Sequence, residues 1–486
     1  MEKYKQIALG KNLVFRDSFQ HLSSSLERLV ESLLKVGVHK FKHLALMTER
    51  LYGPNYIQEK VKLLSRKGVF PYDYMKNMEV LNETVLPPRE AFYNQLRGTE
   101  CSPTDYAHAQ NVWNTFGIRN LKEYLELYLF ADVCQLADVF DAYREICSEA
   151  YKLDPAYFLS APQLAFNAML RFIKRPIELM WDIEMYRMIQ PSIRGGICHA
   201  SVRYSRANNK YMGSLYRPNE KSVFICYFDA NNLYGKAMSQ PQPNGHYTLL
   251  SEEECHEAEI ALTGTANMRD AFFKVDSELL GPYYILTVDL IYPPEIHDRD
   301  DDYPMAPQTM NVLPEMLSET QHRLKVSYFN GVNPSSKKLI CSFLPRIQYT
   351  VLGQNLQFYL SRGMKLTKLH SGIKFTALAY LESYIKHNTD MRQANRDDET
   401  KKNFFKLMNN APYGKTIENV AKRSDIRLIV DEQKAVKLAE KPHCIDFRMF
   451  TENLFGVEMR KTKSLINKPF HVCKHYVVHG ISIVFK

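Results

Sequence analysis

The spacing of apolar residues along this chain changes between a helical and a strand-like pattern, without a repeating βαβ rhythm. Residues 121–146 carry apolar side chains at helical spacing, which predicts a helix with one buried face that also holds Asp132. The apolar residues of that face are Leu125, Leu129, Val133, Leu136 and Phe140. An irregular succession of helices and strands favours an α+β fold over a doubly wound sheet.

Two segments have the pattern of strands. Residues 222–228 are almost wholly apolar and β-prone, which predicts a buried strand that ends at Asp229. In residues 281–294 apolar residues alternate with others, which predicts a strand in a mixed sheet, with Asp289 pointing away from the apolar face. That apolar face consists of Leu286, Val288, Leu290 and Tyr292.

Residues 397–399 are acidic, which is typical of the start of a helix, where the helix dipole favours negative charge. On the helix predicted to follow, Lys402, Lys406 and Asn410 recur every four residues and form a polar, basic face. Phe405 and Met408 lie on another face and are expected to pack inward.

The overall charge permits a nucleic-acid ligand without demanding one. Lys and Arg total 63 against 54 Asp and Glu, which gives +9 over 486 residues. Residues 401–427 are more basic, since seven Lys and Arg minus two Asp and Glu leave +5, a charge that suits phosphate groups. Charge alone would favour the alternative of a solvated helix face.

Cysteine usage and hydropathy exclude several classes of protein. None of the nine cysteines forms a Cys-x-x-Cys pair, so neither a zinc site nor a disulfide framework is indicated. No signal peptide or membrane-spanning run is found, so a membrane is not expected as a partner. These features favour an intracellular compartment, the nucleus or cytoplasm rather than the mitochondrion. The length predicts roughly two to four domains.

The segment from Asp229 to Gly235, DANNLYG, resembles motif A of family B DNA polymerases, DxxSLYP, and especially that of the protein-primed group found in viruses and Polinton or Maverick elements. A carboxylate at a strand end can hold Mg²⁺ ions that bridge nucleotide phosphates. The resemblance implies that Asp229 and the carbonyl of Ala230 bind metal and that Tyr234 stacks under the sugar and rejects a ribose. Asn232 and Gly235 replace the usual Ser and Pro.

The segment from Lys406 to Gly414, KLMNNAPYG, is similar to motif B of the same family, KxxxNSxYG. A Lys and an Asn one helical turn apart present a cation and an amide from one face. The resemblance implies that Lys406 grips the incoming nucleotide, that Asn410 and Tyr413 line its pocket, and that Gly414 lets the template approach.

Residues next to motif B complete this expectation. Arg392 lies where a second basic contact to the triphosphate is expected, and Lys415 is assigned to DNA. Ala411 replaces the usual Ser, and Pro412 predicts that the helix ends early.

Two further elements resemble parts of the family. Residues 192–196, SIRGG, resemble its YxGG element, so Gly195 and Gly196 are assigned to DNA, although a plain turn explains paired glycines equally well. Tyr128 and Asp132 resemble the YxxxD motif of the proofreading exonuclease. The first two exonuclease motifs have no match, so Asp132 is interpreted as structural and no exonuclease activity is predicted.

The family's third polymerase motif, Tyr-x-Asp-Thr-Asp, has no match after Gly414. The acidic residues 298–302 lie between motifs A and B and are interpreted as a surface loop of an insertion. The chain is therefore expected to be truncated before that motif.

The resemblance implies a family B architecture with an RNase H-like exonuclease remnant, a ferredoxin-like palm and helical fingers. The expected parts are a partial exonuclease-like domain at 1–150, linker and palm with motif A at 151–260, an insertion at 261–360, fingers at 361–425 and an incomplete returning palm at 426–486.

The function implied is DNA-directed DNA synthesis, in which deoxynucleotides are added to a DNA 3′ end by two-metal phosphoryl transfer. Mg²⁺ or Mn²⁺ is the implied cofactor. The implied partners are a DNA primer-template, deoxynucleoside triphosphates and a terminal priming protein. A catalytically inactive DNA-binding fragment or relic is the alternative, because the third motif is missing.

Overall fold

Helices and antiparallel strands alternate in the computed structural model, which describes residues 6–9, 13–180, 182–195, 197, 204–227, 231–329, 337–416, 418 and 425–460. The chain forms two units, one of residues 1–172 with 386–412 and the other of residues 173–385 with 413–486. This mixture of elements confirms the α+β prediction. The five-part division remains a prediction.

The first unit is mainly helical. Its elements are β1 (Gln6–Leu9), β2 (Leu13–Arg16), α1 (Leu26–Val36), α2 (Lys42–Tyr52), α3 (Ile57–Leu64), α4 (Pro103–Thr115), α5 (Leu121–Tyr151) and α6 (Ala161–Ile173). Strands β1 and β2 form an antiparallel ribbon. The helices begin at good capping residues, since the side chains of Ser25, Ser102 and Asn120 accept from backbone N–H groups of α1, α4 and α5.

The second unit contains most of the sheet structure. Its elements are α7 (Ile183–Ile189), α8 (Leu233–Met238), β3 (Gln242–Leu249), α9 (Glu252–Thr263), α10 (Ala266–Phe272), β4 (Tyr283–Ile291), α11 (His297–Asp300), β5 (Gln308–Asn311), α12 (Glu319–Phe329), β6 (Lys337–Ile340), β7 (Arg346–Leu352), α13 (Gly353–Ser361) and β8 (Lys365–Leu378). Two helices that pass from one unit to the other follow, α14 (Glu382–Ala394) and α15 (Glu399–Thr416). The last elements are β9 (Asp425–Ile429), α16 (Glu432–Ala439), β10 (Cys444–Thr451) and β11 (Leu454–Met459).

Helix α5 is the centre of the first unit, and its buried face differs from the predicted one. Leu129, Val133 and Leu136 are exposed, Val133 by 68%. The buried face instead includes Tyr124, Leu127, Tyr128, Ala131 and Cys134. The helix carries apolar residues all round, so the i, i+4 pattern identified one of several possible rows, and the helices packed on it select another.

A carboxylate of α5 also caps a neighbouring helix. The residue before α2 is Phe41, whose side chain offers no acceptor. The buried Asp138 accepts hydrogen bonds from the backbone N–H groups of His43 at 2.7 Å and Leu44 at 3.1 Å. Burial raises the pKa of Asp138, while these two hydrogen bonds oppose that shift. Asp138 therefore fastens α2 to α5.

Strand β4 has the predicted alternation, but the described strands of its sheet are not mixed in direction. The sheet order is β3-β8-β4-β7 and every pair is antiparallel. Leu286, Val288 and Leu290 face a core formed with α9 and α13, as predicted. Asp289 points the other way, where it accepts from the backbone N–H of Gln348 at 2.7 Å.

The opposite face of this sheet has a smaller core. Ile285, Ile373 and Phe375 pack there with Met185 and Ile189 of α7. The sheet is thus covered by helices on both faces. Among the described elements, β5 and β6 form a separate ribbon, and β10, β11 and β9 form a three-stranded sheet against which α16 packs.

The predicted buried strand at 222–228 is wrong for the residues that the structure describes there, 222–227. Val223 makes an isolated bridge to Asn208, and the segment has no other strand pairing in the described part of the chain. Phe224, Ile225 and Tyr227 are exposed, Tyr227 by 91%. An apolar run becomes a buried strand only where a sheet accepts its N–H and C=O groups, and no described strand lies beside it.

None of the described helices combines the length and apolar character needed to cross a membrane.

The exposure of residues 224–227 predicts a contrast between two cysteines. Cys226 is exposed, whereas Cys147 is fully buried in α5 and burial raises the pKa of its thiol to about 12. Because the thiolate is the reacting form, iodoacetamide at pH 8 should modify Cys226 in the native protein and spare Cys147. Peptide mass spectrometry measures both, and the urea-unfolded protein, in which both react, is the control. Protection of Cys226 in the native protein would contradict this exposure and would support the buried strand predicted from the sequence.

Candidate nucleotide and nucleic-acid site

Two tyrosines from the two motifs lie in contact. Tyr234 is on α8 and Tyr413 is in the last turn of α15, and their ring centroids are 4.6 Å apart with an interplanar angle of 38°. Tyr234 is 41% exposed, so one part of its ring stays open to a ligand. The two side chains assigned from sequence to a nucleotide pocket are therefore neighbours in the second unit.

Tyr234 lies on α8, a short helix that buried residues hold in place. Ala237 and Met238 are buried, so they fix the inner side of the helix. After the helix, the side-chain amide of Gln242 donates to the carbonyls of Ala237 at 3.0 Å and Gln240 at 2.9 Å. These contacts end α8 and lead directly into β3.

Helix α15 has the predicted start and faces. The Asp398 side chain accepts from the backbone N–H of Lys401 at 3.0 Å, which caps the first turn. Phe405 and Met408 are buried, as predicted. Lys406 is exposed and Asn410 is half-buried, so the polar face is accessible.

The lysines of this region differ in their partners. Lys402 forms an ion pair with Glu399 at 2.6 Å, and Lys415 forms one with Glu418 at 2.8 Å. Within the described residues Lys406 has no ion pair, and the same holds for Arg392 on α14. The charges of Lys406 and Arg392 are therefore not paired with a carboxylate of the described residues.

Pro412 does not end the helix, so that prediction was wrong. Helix α15 continues through it to Thr416, whose hydroxyl donates to the carbonyl of Tyr413 at 2.7 Å. A proline inside a helix loses one N–H donor and crowds the preceding turn. Here Phe405 and Met408 anchor the helix before Pro412, and Tyr413 contacts Tyr234 after it, so tertiary packing overrides the local preference.

The loop at Gly195 is fastened to the sheet by an arginine that the sequence did not single out. The Arg194 guanidinium lies 3.8 Å from the centroid of the Tyr349 ring and donates to the carbonyl of Thr350 at 3.0 Å. A Cβ added at Gly195 or Gly414 would meet no atom of the described residues within 4 Å. Gly196 lies outside the described residues.

Tyr128 and Asp132 are held together by Lys67, which sequence reasoning also missed. The Lys67 ammonium donates to the two carboxylate oxygens of Asp132 at 2.6 and 2.5 Å and also contacts the Tyr128 hydroxyl. Tyr72 donates to that hydroxyl at 3.0 Å. Burial lowers the pKa of Lys67 and raises that of Tyr128. A cation neutralises Asp132, which supports its structural interpretation.

The acidic residues 298–302 are not simply a surface loop. Asp298–Asp300 belong to α11, and Asp300 is only 8% exposed. Its carboxylate accepts from the Tyr292 hydroxyl at 2.6 Å and from the Arg299 guanidinium at 2.8 Å. Its hydrogen bonds to Arg299 and Tyr292 outweigh the effect of burial and lower its pKa. The loop interpretation was therefore wrong for Asp300, which lies in a helix and forms an ion pair with Arg299.

The predicted metal site cannot be built from the described residues. Asp229 and Ala230 lie outside them. Within the described ranges, no group of three or more His, Cys, Asp or Glu side chains could hold a metal ion. The assignment of Asp229 and Ala230 to metal therefore stays a prediction.

Residues 2–468 match the family model described as DNA polymerase type B, organellar and viral. No curated protein matches the chain.

Solved structures of Phi29 DNA polymerase also match. The complex with primer-template DNA has 12% identity and a TM-score of 0.42, with 98% of this chain and 58% of that chain covered. The orthorhombic crystal form has 12% identity and a TM-score of 0.44, with 97% and 57% covered. The chain thus spans somewhat over half of the length of these polymerases.

The contact between Lys67 and Asp132 predicts a stability effect. Asp132→Asn removes the countercharge and leaves a largely buried ammonium, which should lower the free energy of unfolding by about 1–3 kcal/mol. Glu126→Gln is the matched control, because its 3.9 Å pair with Lys122 is exposed and should contribute within about 0.5 kcal/mol. Urea unfolding of the full chain measures both variants. Equal stability of Asp132→Asn and the wild type would contradict the ion pair.

Proposed function

The chain belongs to the organellar and viral type B DNA polymerases, and we propose that it takes part in template-directed DNA synthesis, adding deoxynucleotides to a DNA 3′ end. The observation that carries this proposal is the contact between Tyr234 and Tyr413. Two segments that resemble different polymerase motifs, far apart in sequence, supply neighbouring aromatic side chains on one accessible surface. A coincidental resemblance would give no reason for these two residues to meet.

The exposed aromatic surface suits the sugar of an incoming nucleotide. In the proposed role, Tyr234 lies under the deoxyribose and occupies the space that a 2′-hydroxyl would need. Tyr413 supports the ring of Tyr234 from its other side. The resemblance to motif B also assigns Asn410 to nucleotide binding. Discrimination against ribonucleotides then follows from shape, since an extra hydroxyl has no room beside a fixed ring.

The cationic side chains have a separate role. Lys406 and Arg392, which lack ion pairs within the described residues, would bind the triphosphate. Lys415, Gly414, Gly195 and Gly196 would contact primer-template DNA, with Lys415 exchanging Glu418 for a phosphate. The glycines would let the DNA backbone approach closely.

A divalent ion, Mg²⁺ or Mn²⁺, would be held by Asp229 and the carbonyl of Ala230 and would neutralise charge on the transferred phosphate. Within the described residues, no group of three or more His, Cys, Asp or Glu side chains forms such a site by itself. The roles proposed for the other residues are to bind and orient the nucleotide and the DNA. A terminal priming protein is a further proposed partner, and the nucleus or cytoplasm is the proposed compartment.

A DNA-binding protein without catalysis is the second candidate function. It is favoured by the lack of a Tyr-x-Asp-Thr-Asp motif in these 486 residues, since two-metal transfer uses a second carboxylate. In that case the basic residues and glycines would still bind primer-template DNA. Binding through phosphates should weaken steeply as salt rises.

Primer extension separates the two candidates. With primer-template DNA, deoxynucleotides and Mg²⁺ or Mn²⁺, the wild type should extend the primer. Asp229→Asn should reduce the rate at least about 100-fold, because a metal ligand is lost. Asp298→Asn, which changes an exposed carboxylate, is the matched control. Extension by Asp229→Asn at the wild-type rate would exclude the enzymatic proposal, and salt-sensitive DNA binding without extension would support the second candidate.

The lysines of α15 offer a test of nucleotide binding. Lys406→Ala should weaken binding of a deoxynucleoside triphosphate about tenfold, because one charge-assisted contact to phosphate is lost. Lys402→Ala is the matched control, because Lys402 lies one turn earlier and is already paired with Glu399. Isothermal titration calorimetry measures both affinities. Equal losses in the two variants would show that general charge, rather than Lys406, holds the ligand.

A further inference from the structure

We propose that Asn232 and Gly235 act as one coupled pair that positions Tyr234, and so determines the discrimination between deoxyribose and ribose. Neither residue needs to touch the nucleotide. Both are positioning residues in the first turn of α8, where they flank Leu233 and Tyr234. This inference rests on the proposed function, because it concerns the sugar pocket of that function.

Asn232 precedes α8 in a left-handed backbone conformation, with φ of 57° and ψ of 38°. Side chains with a Cβ rarely adopt this conformation, and Asn is enriched there relative to most other residues. The Asn232 carbonyl accepts from the backbone N–H of Lys236 at 2.9 Å, which closes the first turn of the helix. An Asn at this position therefore favours the backbone from which α8 begins.

Gly235 lies directly under the Asn232 side chain. A Cβ added at Gly235 would lie 2.6 Å from Cγ of Asn232, closer than real Cβ contacts come. The Asn232 carboxamide thus folds back over the α-carbon of Gly235. Gly235 is buried and the Ser239 hydroxyl donates to its carbonyl at 2.9 Å, so the glycine backbone has little freedom to move away.

The two departures from the family pattern are therefore one structural feature. Asn replaces Ser at 232 and Gly replaces Pro at 235. The left-handed turn favours Asn, and the folded-back carboxamide has to move if residue 235 carries a side chain. A side chain introduced at 235 alone meets the Asn232 carboxamide, whereas loss of the carboxamide leaves that space open.

Tyr234 takes its direction from this turn. It follows Asn232 by two residues and precedes Gly235, in a helix of only six residues. A small rotation of the first turn would therefore move the ring that contacts Tyr413 at 4.6 Å. A moved ring would no longer occupy the space beside the 2′ position.

Three variants of the full chain test the coupling. Gly235→Ala should displace the Asn232 carboxamide and shift Tyr234. Asn232→Gly keeps a residue that tolerates the left-handed conformation and removes the carboxamide. The double variant Asn232→Gly/Gly235→Ala should then regain the wild-type position of Tyr234, because the added Cβ meets no carboxamide.

The first measurement requires no nucleotide. Photo-oxidation links neighbouring phenols into dityrosine, and peptide mass spectrometry gives the yield of the Tyr234–Tyr413 product. The yield should fall in Gly235→Ala and recover in the double variant. The Tyr72–Tyr128 pair of the first unit, with centroids 6.0 Å apart, is the internal reference. Tyr413→Phe should abolish the product and so identifies it.

The second measurement is the ratio of affinities for a deoxynucleoside and a ribonucleoside triphosphate, with primer-template DNA and Ca²⁺. Gly235→Ala should lower this ratio about tenfold, and the double variant should restore it. A merely destabilising change would weaken both affinities together and would not be rescued by a second substitution.

The outcomes separate this inference from the proposed function. An unchanged dityrosine yield in Gly235→Ala, or no recovery in the double variant, would overturn the coupling whether or not nucleotides bind. A changed and rescued yield with an unchanged affinity ratio would overturn the link to sugar discrimination. If neither nucleotide binds to the wild type, the proposed function fails, while the dityrosine result still decides the coupling.

Discussion

The antiparallel pairing of β3 with β8 is the contact on which the candidate site depends. Gln242 at the start of β3 pairs with Leu378 at the end of β8. Since β3 follows α8 and β8 precedes α14, this register brings the end of α8 and the beginning of α14 to the same end of the sheet. The Tyr380 hydroxyl, donating to the carbonyl of Pro243 at 3.2 Å, reinforces that end. A slip of one residue would turn every side chain to the opposite face.

The sequence predicted correctly those elements whose apolar pattern is compatible with a single buried face. The apolar alternation of β4 has a single arrangement that buries Leu286, Val288 and Leu290, and the structure has it. The acidic start of α15 and its buried Phe405 and Met408 follow equally from local rules. Tyr234 and Tyr413 came from resemblance rather than from pattern, and their contact is a finding of the structure.

The features that the sequence did not predict depend on contacts with residues outside the local segment. Residues 222–227 have the composition of a buried strand, but composition supplies no neighbouring strand, and the described segment stays exposed. Arg194 and Lys67 acquire their roles only through Tyr349 and Asp132, residues distant in sequence. Lys402 and Lys406 look alike on one helix face, yet in the described part of the chain only Lys402 has an ion pair with a carboxylate. Net charge therefore overestimates the cations available to a ligand.

The crowding between Asn232 and Gly235 makes the two single exchanges, Asn to Ser at 232 and Gly to Pro at 235, unequal. Introducing Pro first would place ring atoms where the Asn232 carboxamide already lies. Introducing Ser first removes that obstacle and costs only the preference of Asn for the left-handed turn. In this backbone, Ser at 232 with Gly at 235 is therefore the less crowded of the two single exchanges.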